Sequence, residues 1–288
     1  MTWELRLLLD RPWDELAAEW LADEGSMGVA TTLTGERLAV AGYFEEGVDR
    51  DGLEIRLRLM FASEGGQIEA GALEWRDLPD ADWAEAWKVD YQPLKVGRRL
   101  WIVPTWLERP EEEPERLLIR MDPEMAFGSG THATTRGCLE LLEELAGVRP
   151  LGRVLDMGCG SGVLAIWAAL LGAERVLATD LDPVAVETAL RNVAINGVSG
   201  RVEIAERADV PQGRYETVVA NILASVLLEN AGSLVAALAS GGRLILSGIL
   251  REQAHAVVLA FEGEGARLER TLYLEEWAVL LLGIGEGG

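Results

Sequence analysis

Val154-Leu155-Asp156-Met157-Gly158-Cys159-Gly160-Ser161-Gly162-Val163-Leu164-Ala165-Ile166 is the stretch that decides the fold. A short apolar run leads to Asp156, alternating glycines follow, and Val163, Ile166, Trp167 and Leu170 then recur at helical spacing. The pattern predicts a strand, a sharp turn, and an amphipathic helix with those four residues inward. Glycine at 158, 160 and 162 lets the backbone turn and lets a ligand come within contact distance, which a Cβ would obstruct. Strand, glycine turn and helix in this order predict an α/β unit that binds a nucleotide-like ligand.

Spacing selects the nucleotide. Dinucleotide sites use G-x-G-x-x-G, with a pyrophosphate on the helix N-terminus. Here the third glycine comes one residue earlier, and Asp156 stands two residues before the first. A carboxylate there suits a ligand with a positive group, such as the ammonium of a methionine moiety. Asp180 ends the next apolar run, 22 positions after Gly158, where an acid hydrogen-bonds ribose hydroxyls. Together Asp156, Gly158, Gly160 and Asp180 predict an S-adenosylmethionine site. The same spacing, and Asp156 itself, disfavour a nicotinamide-dependent oxidoreductase.

Composition narrows the class. A chain of 288 residues, 49% hydrophobic, is long enough for one sizeable domain and a small one, and too apolar to be disordered. The longest apolar run, 163–173, is too short to span a bilayer, and the first residues show no export signal. A cytoplasmic protein without a membrane partner is expected. Two cysteines, Cys138 and Cys159, and two histidines, His132 and His255, provide neither a disulfide framework nor a structural zinc site, so no metal is expected. A net charge of -22 disfavours direct nucleic-acid binding, which needs clustered Lys and Arg, and attracts a basic protein partner. The same charge also serves solubility.

Residues 1–75 are expected to form a separate small α+β unit, followed by a linker helix over 76–92 and a cofactor-binding domain over 93–288. In the first, residues 3–9, 27–33 and 38–44 read as strands and 14–22 as a helix. Residues 53–59 alternate apolar with charged side chains and predict a further strand. Trp83, Trp87 and Tyr91 recur at four-residue steps, a stripe for core packing or for gripping a partner. Residues 122–135, rich in glycine and hydroxyls and carrying Phe127 and His132, precede a helix predicted over 136–145. They are either a connection or a lid over bound cofactor. Asp182-Pro183 reads as a helix cap and first-turn proline, and Asn196-Gly197 as that helix's stop. Asp209 follows the third strand, in a surface turn or within reach of an adenine. Asn221 ends the fourth strand, where carboxyl ends of central strands border a crevice; it is aimed at the reaction centre or caps a helix starting near Ala224.

The motifs also carry a family resemblance. Residues 123–135 resemble the P-x-x-A-F-G-T-G-x-H-x-T-T signature of the bacterial methyltransferases of large-subunit ribosomal protein eleven, and Ala220-Asn221-Ile222-Leu223-Ala224 resembles that family's fourth-strand motif. Asp82, Trp83, Trp87, residues 97–106 and Glu275-Glu276-Trp277 are similar as well. The likeness covers residues 78–282 well and the N-terminal unit in layout only. It implies a class I methyltransferase fold: an α/β, Rossmann-like, seven-stranded mostly parallel sheet with a small N-terminal ferredoxin-like domain that holds the ribosomal substrate. By position, Thr135, Gly158, Asp180 and Asn221 match the family's S-adenosylmethionine-binding residues, and Phe127 and His132 lie in its mobile cofactor loop. Ser129 departs from the usual threonine but keeps a hydroxyl. The implied activity is N-methylation of the α-amine and lysines of that ribosomal protein. A monomer is expected, and Asn221 is the expected catalytic residue, because an uncharged amide can orient a neutral amine where a carboxylate would hold it protonated. A protein-lysine methyltransferase for another substrate, and a non-catalytic cofactor-binding ribosome assembly factor, are the competing readings.

Overall fold

The structure is a computed structural model describing residues 2–10, 13–34, 37–63, 65–69, 71–78, 92–121 and 132–285. The chain divides into two compact units, Met1–Tyr91 and Gln92–Gly288. The first runs β1 (Thr2–Leu9), α1 (Trp13–Asp23), β2 (Gly28–Thr34), β3 (Arg37–Phe44), α2 (Arg50–Ser63) and β4 (Leu73–Leu78). Its antiparallel sheet is ordered β2-β3-β1-β4, the ferredoxin-like arrangement. Leu5, Leu7, Val40 and Phe44 from the sheet bury against Ala17 and Leu21 of α1 and Leu53, Leu57 and Phe61 of α2.

Residues 53–59 are therefore a helix, not the strand expected from their alternation. Leu53 and Leu57 fit either period, but Phe61 continues the four-residue step, while Ile55 and Leu59 are 59% and 65% exposed. Asp49 starts the helix by accepting from the Gly52 N–H at 3.0 Å. The strand β4 extends past the boundary expected at residue 75. The expected linker helix with Trp83, Trp87 and Tyr91 lies outside the described residues.

The second unit opens with a three-stranded sheet, β5 (Leu94–Val96), β6 (Leu100–Val103) and β7 (Leu117–Arg120), in that order. Then follow α3 (Ala133–Val148), β8 (Arg153–Met157), α4 (Val163–Leu170), β9 (Arg175–Asp180), α5 (Pro183–Ile195), β10 (Val202–Glu206) and β11 (Tyr215–Asn221). The chain continues through α6 (Ala224–Glu229), α7 (Ala231–Ala236), β12 (Leu238–Leu250), α8 (Ala254–Gly263), β13 (Arg267–Leu274) and β14 (Trp277–Gly283). The seven-stranded sheet is ordered β10-β9-β8-β11-β12-β14-β13, parallel except where β14 runs against its neighbours. This is the doubly wound, class I methyltransferase architecture. Chain order reverses between β8 and β11, so the switch point, beside which ligands bind in open sheets of this kind, lies at their carboxyl ends.

Sequence explains where the layers close. Residues of α4 from Val163 through Ala169 are all buried, so the helix has no polar face and is not amphipathic as expected. It lies in the core with Leu139 and Leu142 of α3 and Val193 of α5, and Trp167 donates its indole N–H to Leu139 O at 3.0 Å. On the other face Leu227, Leu234, Val257 and Phe261 cover Val218, Leu244 and Leu280. Asp182 caps α5 by accepting from Val184 N–H at 2.9 Å, and Gly197 follows the helix at φ 67°.

Candidate functional site

The glycine turn is built from three different requirements. Gly158 has φ 72°, and a Cβ there would lie 2.2 Å from Ile222 Cγ2. Gly162 has φ 79°, and its Cβ would sit 3.1 Å from Ala189 Cβ. At both positions the missing side chain makes room for a neighbouring protein side chain, a requirement that the spacing alone does not show. Gly160, at φ 51°, presents its N–H to Asp180 Oδ2 at 2.8 Å. The turn is further pinned by Gly158 and Cys159 N–H groups donating to Thr179 O at 2.8 and 3.0 Å. Asp180 therefore already holds the turn, while its Oδ1 accepts from Asp182 N–H at 3.0 Å.

Around this turn, polar atoms are left without partners. Asp156 is 1% exposed, and among the described residues neither of its oxygens has a hydrogen-bond partner. Burial pushes its pKa up to about 7; the Ala165 N–H, too poorly placed to make a hydrogen bond, offsets a little of the cost and the negative charge of Asp180 adds to it. Thr179 Oγ1 and Asn221 Oδ1 are likewise buried and, among the described residues, unpartnered. All three lie at the last or next-to-last position of β8, β9 and β11. Buried acceptors without donors are uncommon and call for an explanation.

Asn221 does not cap the helix after it. The N-cap of α6 is Leu223, whereas Asn221 Nδ2 donates to Thr135 Oγ1 at 3.3 Å. Thr135 belongs to α3, which begins at Ala133, three residues before the predicted start. Its N-cap is His132, whose Nδ1 accepts from Thr134 N–H at 3.3 Å and lies 2.6 Å from Thr134 Oγ1. The His132 ring meets Trp277 edge-on at 5.1 Å between centroids, and burial lowers its pKa against the pull of Glu276 and Glu275. Phe127 lies outside the described residues, as does the rest of its loop, 122–131.

Two residues that sequence reasoning passed over complete the frame. Ser247 pairs with Asn221 across β11 and β12; its Oγ donates to Thr134 O at 3.3 Å, and its carbonyl accepts from Ile222 N–H at 3.2 Å. Gly248, at φ 79°, leaves room for the Ile222 carbonyl, which a Cβ would approach to 2.2 Å. Ile222 is thus gripped between Gly158 and Gly248, tying the cofactor turn to Asn221. The strand was legible, but the roles of Ser247, Gly248 and Thr179 follow from cross-strand register, which one strand's sequence does not contain. Asp209 is exposed and paired with Arg207 at 2.7 Å, as a surface turn requires. Among the described residues no helix is long and apolar enough to cross a membrane, and no metal-binding group of His, Cys, Asp or Glu is present.

Comparison with known proteins adds an independent line. Residues 3–283 match the model of the ribosomal protein L11 methyltransferase family. A ribosomal protein L11 methyltransferase of Pelotomaculum thermopropionicum is 50% identical over 198 residues, 68% of this chain and 63% of that one, so the match spans a little under two thirds of the relative. One from Azotobacter vinelandii is 44% identical over 82% of this chain and 78% of its own length. The crystal structure of a ribosomal protein L11 methylase from Lactobacillus delbrueckii subsp. bulgaricus superposes with a TM-score of 0.62 at 32% identity, covering 68% of this chain and 98% of that one.

Proposed function

The chain belongs to the ribosomal protein L11 methyltransferase family, and on that premise we propose that it transfers methyl groups from S-adenosylmethionine to amine nitrogens of ribosomal protein L11, its α-amine and lysine side chains. The observation that carries the reading is Asn221: a half-buried, uncharged amide at the switch point of the sheet, its buried oxygen unpartnered among the described residues and its nitrogen engaged by Thr135.

The residues present fit the cofactor. Asp156 is a buried carboxyl group with no hydrogen-bond donor among the described residues, the feature a ligand ammonium would answer. Asp180 uses one direction of each oxygen within the turn and keeps lone pairs for ribose hydroxyls. Thr135, Gly158, Gly160 and His132 would add to the site, and Phe127, outside the described residues, is assigned to it on the family resemblance alone. When bound, the cofactor supplies a sulfonium-activated methyl carbon open to in-line attack.

What the protein must supply is a neutral amine held in line. A lysine with pKa about 10.4 costs roughly 4 to 5 kcal/mol to deprotonate at pH 7, an α-amine near 7.7 to 8.0 only about 1. A carboxylate against the amine would stabilise the protonated, unreactive form. Asn221 Oδ1 accepts an N–H from the neutral amine without that penalty, and the Thr135 contact fixes which end of the amide is offered. Asn221 is therefore assigned an orienting role rather than that of a base.

Labelled S-adenosylmethionine with purified ribosomal protein L11 tests the assignment. The full chain should label L11, and Asn221→Ala should abolish transfer while weakening S-adenosylhomocysteine binding only a few-fold by calorimetry. Unaltered turnover would remove Asn221 from the reaction. Labelling of other proteins but not L11 would refute the substrate, and a chain that binds neither nucleoside would refute the whole reading.

A further inference from the structure

Leu223 occupies the N-cap of α6, with φ -55° and ψ 140° and no side-chain cap hydrogen bond. That position favours Ser, Thr, Asp or Asn, whose oxygen accepts from a first-turn N–H; leucine forfeits the bond. Its side chain is 70% exposed, so packing does not repay the loss. A lone exposed leucine is ordinary on a protein surface. One that displaces a cap two residues from Asn221, at the carboxyl end of the strand bordering the crevice, breaks a local rule at a functional place, where such breaks are expected.

We propose that Leu223 is a specificity-determining residue, an apolar wall against which the aliphatic stem of an acceptor lysine packs while its amine meets Asn221. This rests on the reading that Asn221 receives an amine. The two acceptor types differ in what must be accommodated. A lysine brings four methylenes that need apolar cover along the approach, whereas an N-terminal α-amine brings none. Leu223 therefore discriminates in favour of lysine without touching the transferred carbon, and it does so at the cost of a helix cap.

The proposal separates stability from activity in opposite directions. Leu223→Ser restores a capping oxygen and should raise Tm. It should also lower kcat/KM for lysine methylation of ribosomal protein L11 by about tenfold, the worth of some two covered methylenes. Methylation of the α-amine, resolved from lysine by mass spectrometry of the same samples, should fall less than about twofold, and S-adenosylhomocysteine affinity should not move. Leu223→Met, which keeps an apolar surface, should restore most lysine methylation. Lysine methylation unchanged in Leu223→Ser, or an equal loss at both acceptors, overturns the proposal. So does a lowered Tm or lost nucleoside affinity, which would make Leu223 structural. Absence of transfer by the wild-type chain is a different result: it strikes the proposed function itself and the inference with it.

Discussion

The two ends of the seven-stranded sheet are built on opposite terms. At the end where the parallel strands begin, polar groups are answered. Arg149 Nη1 donates to Gly241 O at 2.8 Å, Arg201 Nη1 to Ala169 O at 3.3 Å, and Arg214 to Ala236 O. Arg243 reaches Gly241 O at 2.7 Å and Glu269 at 2.8 Å. Ala169 and Ala236 lie in the last turns of α4 and α7, where carbonyls lack helical partners and cations are favoured. At the end where strands finish, Asp156, Thr179 and Asn221 hold acceptors that no donor among the described residues meets. One end is satisfied by the chain itself. The other leaves these acceptors open among the described residues, and the fold tolerates that deficit because the first end and both helical layers hold the sheet.

The largest effect expected from disturbing this contrast comes at Gly158. An alanine there must adopt φ 72°, costing about 1 to 2 kcal/mol, and must displace Ile222 Cγ2 from 2.2 Å. With overpacking of about 1 to 3 kcal/mol, Gly158→Ala should lose about 3 kcal/mol of stability in urea denaturation. Because Ile222 adjoins Asn221, turnover should fall further than S-adenosylhomocysteine affinity. Equal losses would mean that the Ile222 link does not reach Asn221.

Asp156 sharpens the contrast through pH. Its pKa is raised by burial from the ordinary carboxylate value to about 7, so between those values the folded chain holds a proton that the unfolded chain has released. Stability from this group is full below the unfolded pKa and is lost as pH rises through about 7. Cys159 and Asp180 stand in its field on the turn and on β9, and Cys138 on α3; burial pushes both thiols well up, leaving them neutral throughout this range. Asp156→Asn removes the dependence. The stability difference between variant and wild type should shift in favour of the variant by about 2 kcal/mol from pH 5.5 to 7, at roughly 1.4 kcal/mol per unit. A difference flat with pH would mean that Asp156 is ionised in the folded chain throughout.

What was legible in the sequence follows the same division. The glycine turn, Asp180, Asp182-Pro183 and Asn196-Gly197 carry their signals within a few residues, because backbone conformation and capping are local. The helix α2 was not legible as such. Leu53, Ile55, Leu57 and Leu59 satisfy a strand's alternation, and only burial of Phe61 and the Asp49 cap select the helix. In the site, Asn221 was placed by strand order, but its partner Thr135 sits 86 residues away. Ser247 and Thr179 gain meaning only through registers that bring Ser247 beside Asn221 and Thr179 beside Met157. The alternating glycines announce the turn, but the side chains that Gly158 and Gly162 make room for, Ile222 and Ala189, are set by tertiary packing.

The smallest effect tests the satisfied end. Arg149 closes α3, its backbone N–H donating to Leu145 O and its guanidinium to Gly241 O. Gly241 O also accepts from Arg243, so Arg149→Ala leaves that carbonyl partnered and loses one hydrogen bond, about 1 kcal/mol. Denaturation should register that loss while kcat, KM for ribosomal protein L11 and nucleoside affinity stay unchanged, because every unpartnered acceptor of the site lies at the opposite strand ends. If turnover fell with the same substitution, the two ends would be energetically coupled, and the separation of a self-satisfied scaffold from an unsatisfied site would fail.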